Sequence, residues 1–184
     1  MTPYFFGYGS LVNRQTHDYP KAQPAQLQGW RRAWVRTAVR DLVFLSVIKD
    51  DTSTIDGLVA AVPNADWFAL DAREAGYARL PSGSAVTHPI SPAPEIAHYA
   101  VPPSETGVPG DHAILLSYLD VVVQGFVKEF GEEGVQRFFD TTDGWDTPVI
   151  NDRATPRYPR AQTLTLRETA LVDHHLDRLL ARVK

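Results

Sequence analysis

The residues whose types and spacing could do chemistry begin at Gly7-Tyr8-Gly9-Ser10-Leu11, which closes the aromatic run Tyr4-Phe5-Phe6. An aromatic run suits a pleated, covered strand. Gly9, just beyond it, lets the backbone turn and lets a ligand approach bare amides. N–H groups left at such a strand end can form a concavity for an anion or an oxyanion; the alternative is an ordinary Gly-Ser turn. Ser10 is also a candidate nucleophile, but it then needs a histidine base with its own orienting partner. His17, His88, His98, His112, His174 and His175 show no spacing that singles one out, and Ser10 lacks a G-x-S-x-G setting. Glu74 lies in Leu70-Asp71-Ala72-Arg73-Glu74-Ala75-Gly76-Tyr77, where Gly76 breaks a short helix. A carboxylate set among apolar and aromatic groups loses solvation and becomes usable as a base near neutrality. The alternative is a helix-end glutamate paired with Arg73 or Arg79.

Other polar clusters carry less. His174 and His175 are adjacent, so on a helix they diverge by about 100° and chelate one metal poorly; they read as a solvated flank. Asp111-His112 and Asp173-His174 are equally weak as metal ligands, and Asp50-Asp51 reads as turn chemistry. No Walker A or dinucleotide fingerprint is present. With no cysteine there is no disulfide framework, thiolate chemistry or Cys-type zinc site. The formal net charge of −4 and the lack of a basic stripe argue against nucleic acid as a partner. The start has no signal-peptide pattern and no apolar run is long enough to span a membrane, so the expectation is a cytoplasmic protein without a membrane partner.

Elements must position these residues, and 184 residues at 43% hydrophobic suit one domain. After the first strand, 12–24 reads as a loop and 26–37 as a strand whose arginines face solvent or charged partners. A second apolar run, 43–48, ends in a turn through Thr54, and 55–62 makes a third strand with Gly57 at a bulge. An Asn or Asp cap starts a short helix over 67–74, and 80–92 and 95–101 read as weak strands. From 112 to 130, Leu115, Leu119, Val122 and Phe126 recur at helical spacing on a broad, buried face. Gly131 ends that helix, and 132–140 gives another. The segment 143–161 is long and irregular, which in a compact domain points to function or to pinning by specific contacts. Thr165-x-x-Glu168 is a capping box opening a terminal amphipathic helix with Val172, Leu176, Leu179, Leu180 and Val183 on its apolar stripe. Strands, one short helix and then mostly helices argue α+β, with a curved sheet or small barrel and helices packed outside it.

Phe6-Gly7-Tyr8-Gly9-Ser10-Leu11, followed by Leu70-x-x-Arg73-Glu74-x-Gly76-Tyr77, resembles the γ-glutamylcyclotransferase superfamily, which includes ChaC-type, γ-glutamylamine and AIG2-like proteins. The resemblance covers the architecture to about residue 130. From about 141 the chain adds a loop and helix, with Arg157-Tyr158-Pro159-Arg160, that looks like an extension of some bacterial relatives. The resemblance implies a single domain with a small mixed β-barrel and flanking helices. It implies an enzyme that acts on a small γ-glutamyl amine, peptide or amino acid and releases 5-oxoproline and the amine. Carried over, Tyr8, Gly9, Ser10 and Leu11 offer backbone N–H groups to the substrate, Glu74 is the general acid/base, and Tyr77 and Tyr118 line the pocket. No metal or cofactor is implied. The stretch 39–51 differs from the Gly/Pro-rich stretch of glutathione-degrading ChaC-type members, which argues against glutathione. The alternative is a non-catalytic AIG2-like protein that holds a γ-glutamyl or carboxylated ligand in the same pocket. The 143–161 loop either shapes the pocket mouth or clamps the fold.

Overall fold

The computed structural model describes residues 1–38, 42–107, 110 and 112–182. Positions 39–41, Asp111, Val183 and the side chain of Leu180 lie outside the described residues.

Tyr4–Gly7 (β1) sits in the middle of a mixed sheet. Its companions are Gln23–Val35 (β2), Phe44–Ala61 (β3), Ala78–Pro81 (β4), Val86–Thr87 (β5) and Ile96–Ala100 (β6), in the order β4-β6-β1-β3-β2-β5. Ile114–Leu115 (β7) pairs with Val149–Ile150 (β9), and Thr142–Asp143 (β8) adds a parallel partner to β2. β1 runs antiparallel to β3 and parallel to β6, and the sheet curls into a half-barrel. Period-two alternation along β1 explains why both faces need cover. Tyr4 and Phe6 enter the main core, whereas Phe5 joins a second cluster with Leu11, Val62, Leu70 and Tyr99. The main core is closed by Leu116–Asp140 (α2), through Leu119, Val122, Val123 and Phe126, all fully buried. Phe68–Arg73 (α1) covers the other cluster through Leu70. The chain therefore has the α+β architecture expected of it, with helices outside a curled sheet.

Several local expectations are met. Gly131 adopts φ 68 and breaks α2 into two helical stretches; positive φ there suits a residue without a Cβ. The Asp66 carboxylate accepts the Phe68 N–H at the start of α1. The capping box opens Leu166–Arg182 (α3): Glu168 accepts the Thr165 N–H at 2.7 Å and Thr165 Oγ accepts the Glu168 N–H at 3.2 Å.

Other expectations are corrected. Residues 43–62 are not two strands around a turn: β3 is one strand of 18 residues. The ladder jumps from the pair Gln28–Thr54 to the pair Trp30–Lys49, so residues 50–53 form a bulge. Asp50 holds that bulge by accepting from the Thr52 N–H and the Thr52 and Ser53 hydroxyls, which satisfies locally what the ladder leaves unpaired. Gly57 lies in regular register opposite Ala25 rather than at a bulge; glycine is required there because a Cβ would come within 2.3 Å of the Phe6 ring. Residues 112–115 precede α2 as extended chain instead of belonging to it. His175 is buried and stacked on Phe139, with centroids 4.5 Å apart, so only His174 of that pair is a solvated flank.

Arg32 is the largest correction. It was expected to face solvent or a charged partner, yet it is fully buried. Its Nε donates to Tyr8 O at 2.9 Å, Nη1 to Thr141 Oγ1 at 2.9 Å and Nη2 to Asp56 O. The Phe126 and Phe138 rings lie within 4.9 and 5.1 Å of the guanidinium carbon. Burial lowers its pKa to about 9, with the Asp56 carboxylate acting in the opposite direction, so it stays cationic at neutral pH.

His98, on β6, is buried with Nδ1 2.9 Å from Ser82 Oγ and no partner at Nε2 among the described residues. Burial, reinforced by Lys49, lowers its pKa to about 4. The unfolded chain therefore binds the proton more readily, and stability from this group is full above about pH 6.5 and lost as pH falls toward 4. Urea unfolding should show the wild type losing about 2–3 kcal/mol more than His98→Asn between pH 7 and 4.5. Equal pH dependence in the two proteins would clear His98 of this role.

Candidate active site

Three segments distant in sequence converge beyond the end of β1. Tyr8 is buried, and its hydroxyl donates to Tyr99 O at 2.6 Å, which commits the side chain to the fold and leaves the backbone to turn outward. Burial pushes that hydroxyl's pKa up, with Glu74 and Tyr118 adding to it. Arg32, bonded to the Tyr8 carbonyl, holds the same strand end from within the core. Gly9 then passes so close to Tyr118 that a Cβ would lie 2.8 Å from the Tyr118 hydroxyl and 3.2 Å from Leu45 Cδ2. That contact is why the turn needs glycine. Ser10 and Tyr118 line the same cavity, and burial pushes the Tyr118 hydroxyl strongly up in pKa and so keeps it protonated.

The second segment is the end of α1. Glu74 caps it, and its Oε1 lies 3.2 Å from Arg73 Nε, both side chains largely buried. Arg73 also donates to Thr16 O at 2.8 Å, Thr16 Oγ1 at 3.0 Å and Ser10 Oγ at 3.3 Å. One guanidinium thus ties the loop after β1 to the end of α1 and fixes Glu74 opposite Ser10. Tyr77 follows one short turn later and donates to Leu45 O at 2.9 Å. Asp71, not Glu74, is the partner of Arg79.

A cavity of about 30 Å³ is lined by Tyr8, Gly9, Ser10, Leu11, Glu74, Tyr77 and Tyr118, the site residues that the resemblance carried over. A larger cavity of about 430 Å³ shares Ser10, Leu45, Glu74, Tyr77 and Tyr118 with it; Tyr8, Gly9 and Leu11 are not in its lining. Its size is within the range of small-molecule sites. No histidine lines either cavity. His17, the histidine nearest Ser10 in sequence, places its ring nitrogens against Leu11 O and the Tyr19 N–H, so Ser10 lacks the base that a serine nucleophile needs. Among the described residues no cluster of three or more His, Asp or Glu could hold a metal, and no helix is long and apolar enough to cross a membrane.

The third segment lies in the 143–161 loop, none of whose residues was singled out for the site from sequence: Arg157, Tyr158, Pro159 and Arg160 line the larger cavity. Both alternatives for the 143–161 loop hold. Asp152 clamps it to the start of α2, accepting the Ser117 N–H at 2.8 Å, the Ser117 hydroxyl at 2.6 Å and the Arg157 N–H at 2.9 Å. Burial alone would raise the Asp152 pKa, but these hydrogen bonds outweigh it and lower it. Arg153 adds a second clamp to Asp120, at 2.7 and 2.8 Å, and to Asp173 at 2.7 Å. Tyr158 then meets Tyr118 edge to face, 5.0 Å between centroids. The only sequence signal for this wall was two arginines bracketing Tyr-Pro inside a long irregular loop.

No protein-family model and no curated protein matches the chain. Solved structures do. A gamma-glutamyl cyclotransferase superposes with a TM-score of 0.58 at 13% identity, over 95% of this chain and 99% of that one. The uncharacterized protein loc79017 from Homo sapiens gives 0.58 at 13% identity, over 94% of this chain and 98% of that one. YkqA from Bacillus subtilis gives 0.55 at 19% identity, over 78% of this chain and 56% of its own. Identity this low carries the fold alone, and the chain has the gamma-glutamyl cyclotransferase fold.

Proposed function

We propose that this chain is an enzyme that cyclises the γ-glutamyl group of a small substrate to 5-oxoproline and releases the amine. The observation that supports this most is the meeting of the Glu74 carboxylate with the Gly9–Ser10–Leu11 backbone on one small cavity. The name of one fold neighbour, a gamma-glutamyl cyclotransferase, agrees with the reading.

The chemistry needs little machinery. The substrate's α-amino nitrogen attacks its own γ-carbonyl carbon; a C–N bond forms to close the five-membered lactam, and the C–N bond to the leaving amine breaks. Folding the glutamyl chain into the closing geometry removes an orientation cost from the barrier. Glu74 takes a proton from the attacking nitrogen and delivers it to the leaving nitrogen, and the second proton shed by the ammonium ends on the released amine. Backbone N–H groups of the Gly9–Leu11 turn hold the carboxylate or the developing oxyanion. Tyr118, kept protonated by burial, can donate its own proton toward the same oxygen. Arg73 acts as a positioning residue that fixes the Glu74 carboxylate and the Ser10 loop together.

Incubation with a panel of γ-glutamyl amines, peptides and amino acids, with mass-spectrometric detection of 5-oxoproline, tests the reading. Release from at least one member is expected. A complete lack of product at high enzyme concentration would leave a binding protein with the same pocket.

A further inference from the structure

We propose that Arg157 and Arg160 form an anion subsite that receives the carboxylate of the leaving group, making the substrate a γ-glutamyl amino acid rather than a γ-glutamyl amine. The inference rests on the cyclising reaction proposed above and names the substrate class for it.

The charges in the larger cavity carry the argument. Among the described residues its ionic lining is Arg73, Glu74, Arg157 and Arg160. Arg73 is already balanced by Glu74 at 3.2 Å. Seven arginines among the described residues sit in salt bridges with carboxylates, and neither Arg157 nor Arg160 is among them. Two guanidiniums with no carboxylate partner among the described residues thus line one cavity in a chain whose net charge is −4. Positive charge against the low-dielectric walls of a cleft concentrates anions there, and a guanidinium's planar fork matches a carboxylate.

Position assigns that anion to the leaving group. The Gly9 and Leu11 turn residues line only the small cavity and the arginines only the larger one, while Ser10 and Glu74 line both. A glutamyl end that meets that turn and Glu74 therefore extends its leaving group into the larger cavity, toward Trp34, Phe44 and the arginine loop. The Asp152 and Arg153 clamps hold the loop before any ligand arrives, so little ordering cost falls on binding.

The test compares L-γ-glutamyl-L-alanine with its alaninamide, which removes the leaving group's charge and little else. Both would be measured with the full-length wild type and with the double variant R157Q/R160Q, by 5-oxoproline release and by calorimetric binding. The wild type should prefer the acid by about 10- to 100-fold in kcat/KM and affinity, and the double variant should bring that ratio close to one. The Arg157→Lys, Arg160→Lys pair should keep part of the preference, which a merely structural role for the loop would not produce. A wild type indifferent to the carboxylate, or a ratio unchanged in R157Q/R160Q, overturns the subsite. If neither compound is turned over, the cyclising reaction is what fails. Calorimetry then still decides the subsite: a preference for the acid that the variant loses supports it, and equal or absent binding of the two overturns it.

Discussion

Glu74→Gln is expected to lower 5-oxoproline release by roughly a thousandfold or more while leaving the affinity for a γ-glutamyl ligand nearly intact. The substitution keeps size and shape, and the new amide oxygen can still accept from Arg73, whose Nε lies 3.2 Å from the carboxylate in the native site. What disappears is a group that can take a proton from the attacking nitrogen and return one to the leaving nitrogen. Proton transfer by one positioned group is typically worth about 10²–10⁴-fold, and here the same group serves both halves of the reaction. The loss should therefore fall on kcat, with KM changed little. Single-turnover kinetics and calorimetry would separate the two effects. A variant that retains more than about a tenth of wild-type kcat would remove Glu74 from the acid/base role. Retained turnover would shift attention to Tyr118, a protonated side chain on the same cavity as Glu74 and Ser10.

Arg32→Met should cost about 3–5 kcal/mol of stability, a large fraction of the roughly 5–15 kcal/mol that domains possess. Methionine fills similar volume but donates nothing. It leaves Tyr8 O and Asp56 O buried without their donor and removes a partner from Thr141 Oγ1. Each orphaned buried acceptor costs about 1–3 kcal/mol. The Asp56 carboxylate keeps Arg137 at 2.7 Å and Gln26 at 2.8 Å, so it adds little to the loss. At about 2–4 °C per kcal/mol for a domain of this size, the melting temperature should fall by roughly 10 °C. Because Tyr8 O is the last fixed point before the Gly9–Leu11 turn, the variant that does fold should also turn over more slowly. Arg32→Lys should recover only part of the stability, since an ammonium lacks the planar fork that reaches three acceptors at once. A melting temperature within a degree or two of wild type would mean that packing against Phe126 and Phe138, not the hydrogen bonds, is what Arg32 supplies.

The residues divide by how local their determinants are. The amino-acid sequence alone determined the α+β class, the break at Gly131 and the capping box of Thr165 and Glu168. Each is written in a period, a cap or a glycine within a few positions of where it acts. The candidate pairing of Gly9-Ser10-Leu11 with Glu74 came from a family resemblance, because nothing local to either stretch points to the other. Tertiary structure alone decided that Arg32 points inward. Its charge reads as a solvent-facing strand position, and the acceptors that reverse this lie 24 and 109 positions away. The same holds for β3: a polar run of Lys, Asp and Thr reads as a turn, but Asp50 satisfies the bulge internally and β2 carries the ladder past it. Arg157 and Arg160 reach the cavity only because Asp152 and Arg153 find Ser117 and Asp120 on α2, more than thirty positions earlier. Local pattern determines which element forms and where it stops. Which charged side chain meets the core, and which meets a ligand, depends on acceptors and carboxylates that only the folded chain brings within hydrogen-bonding distance.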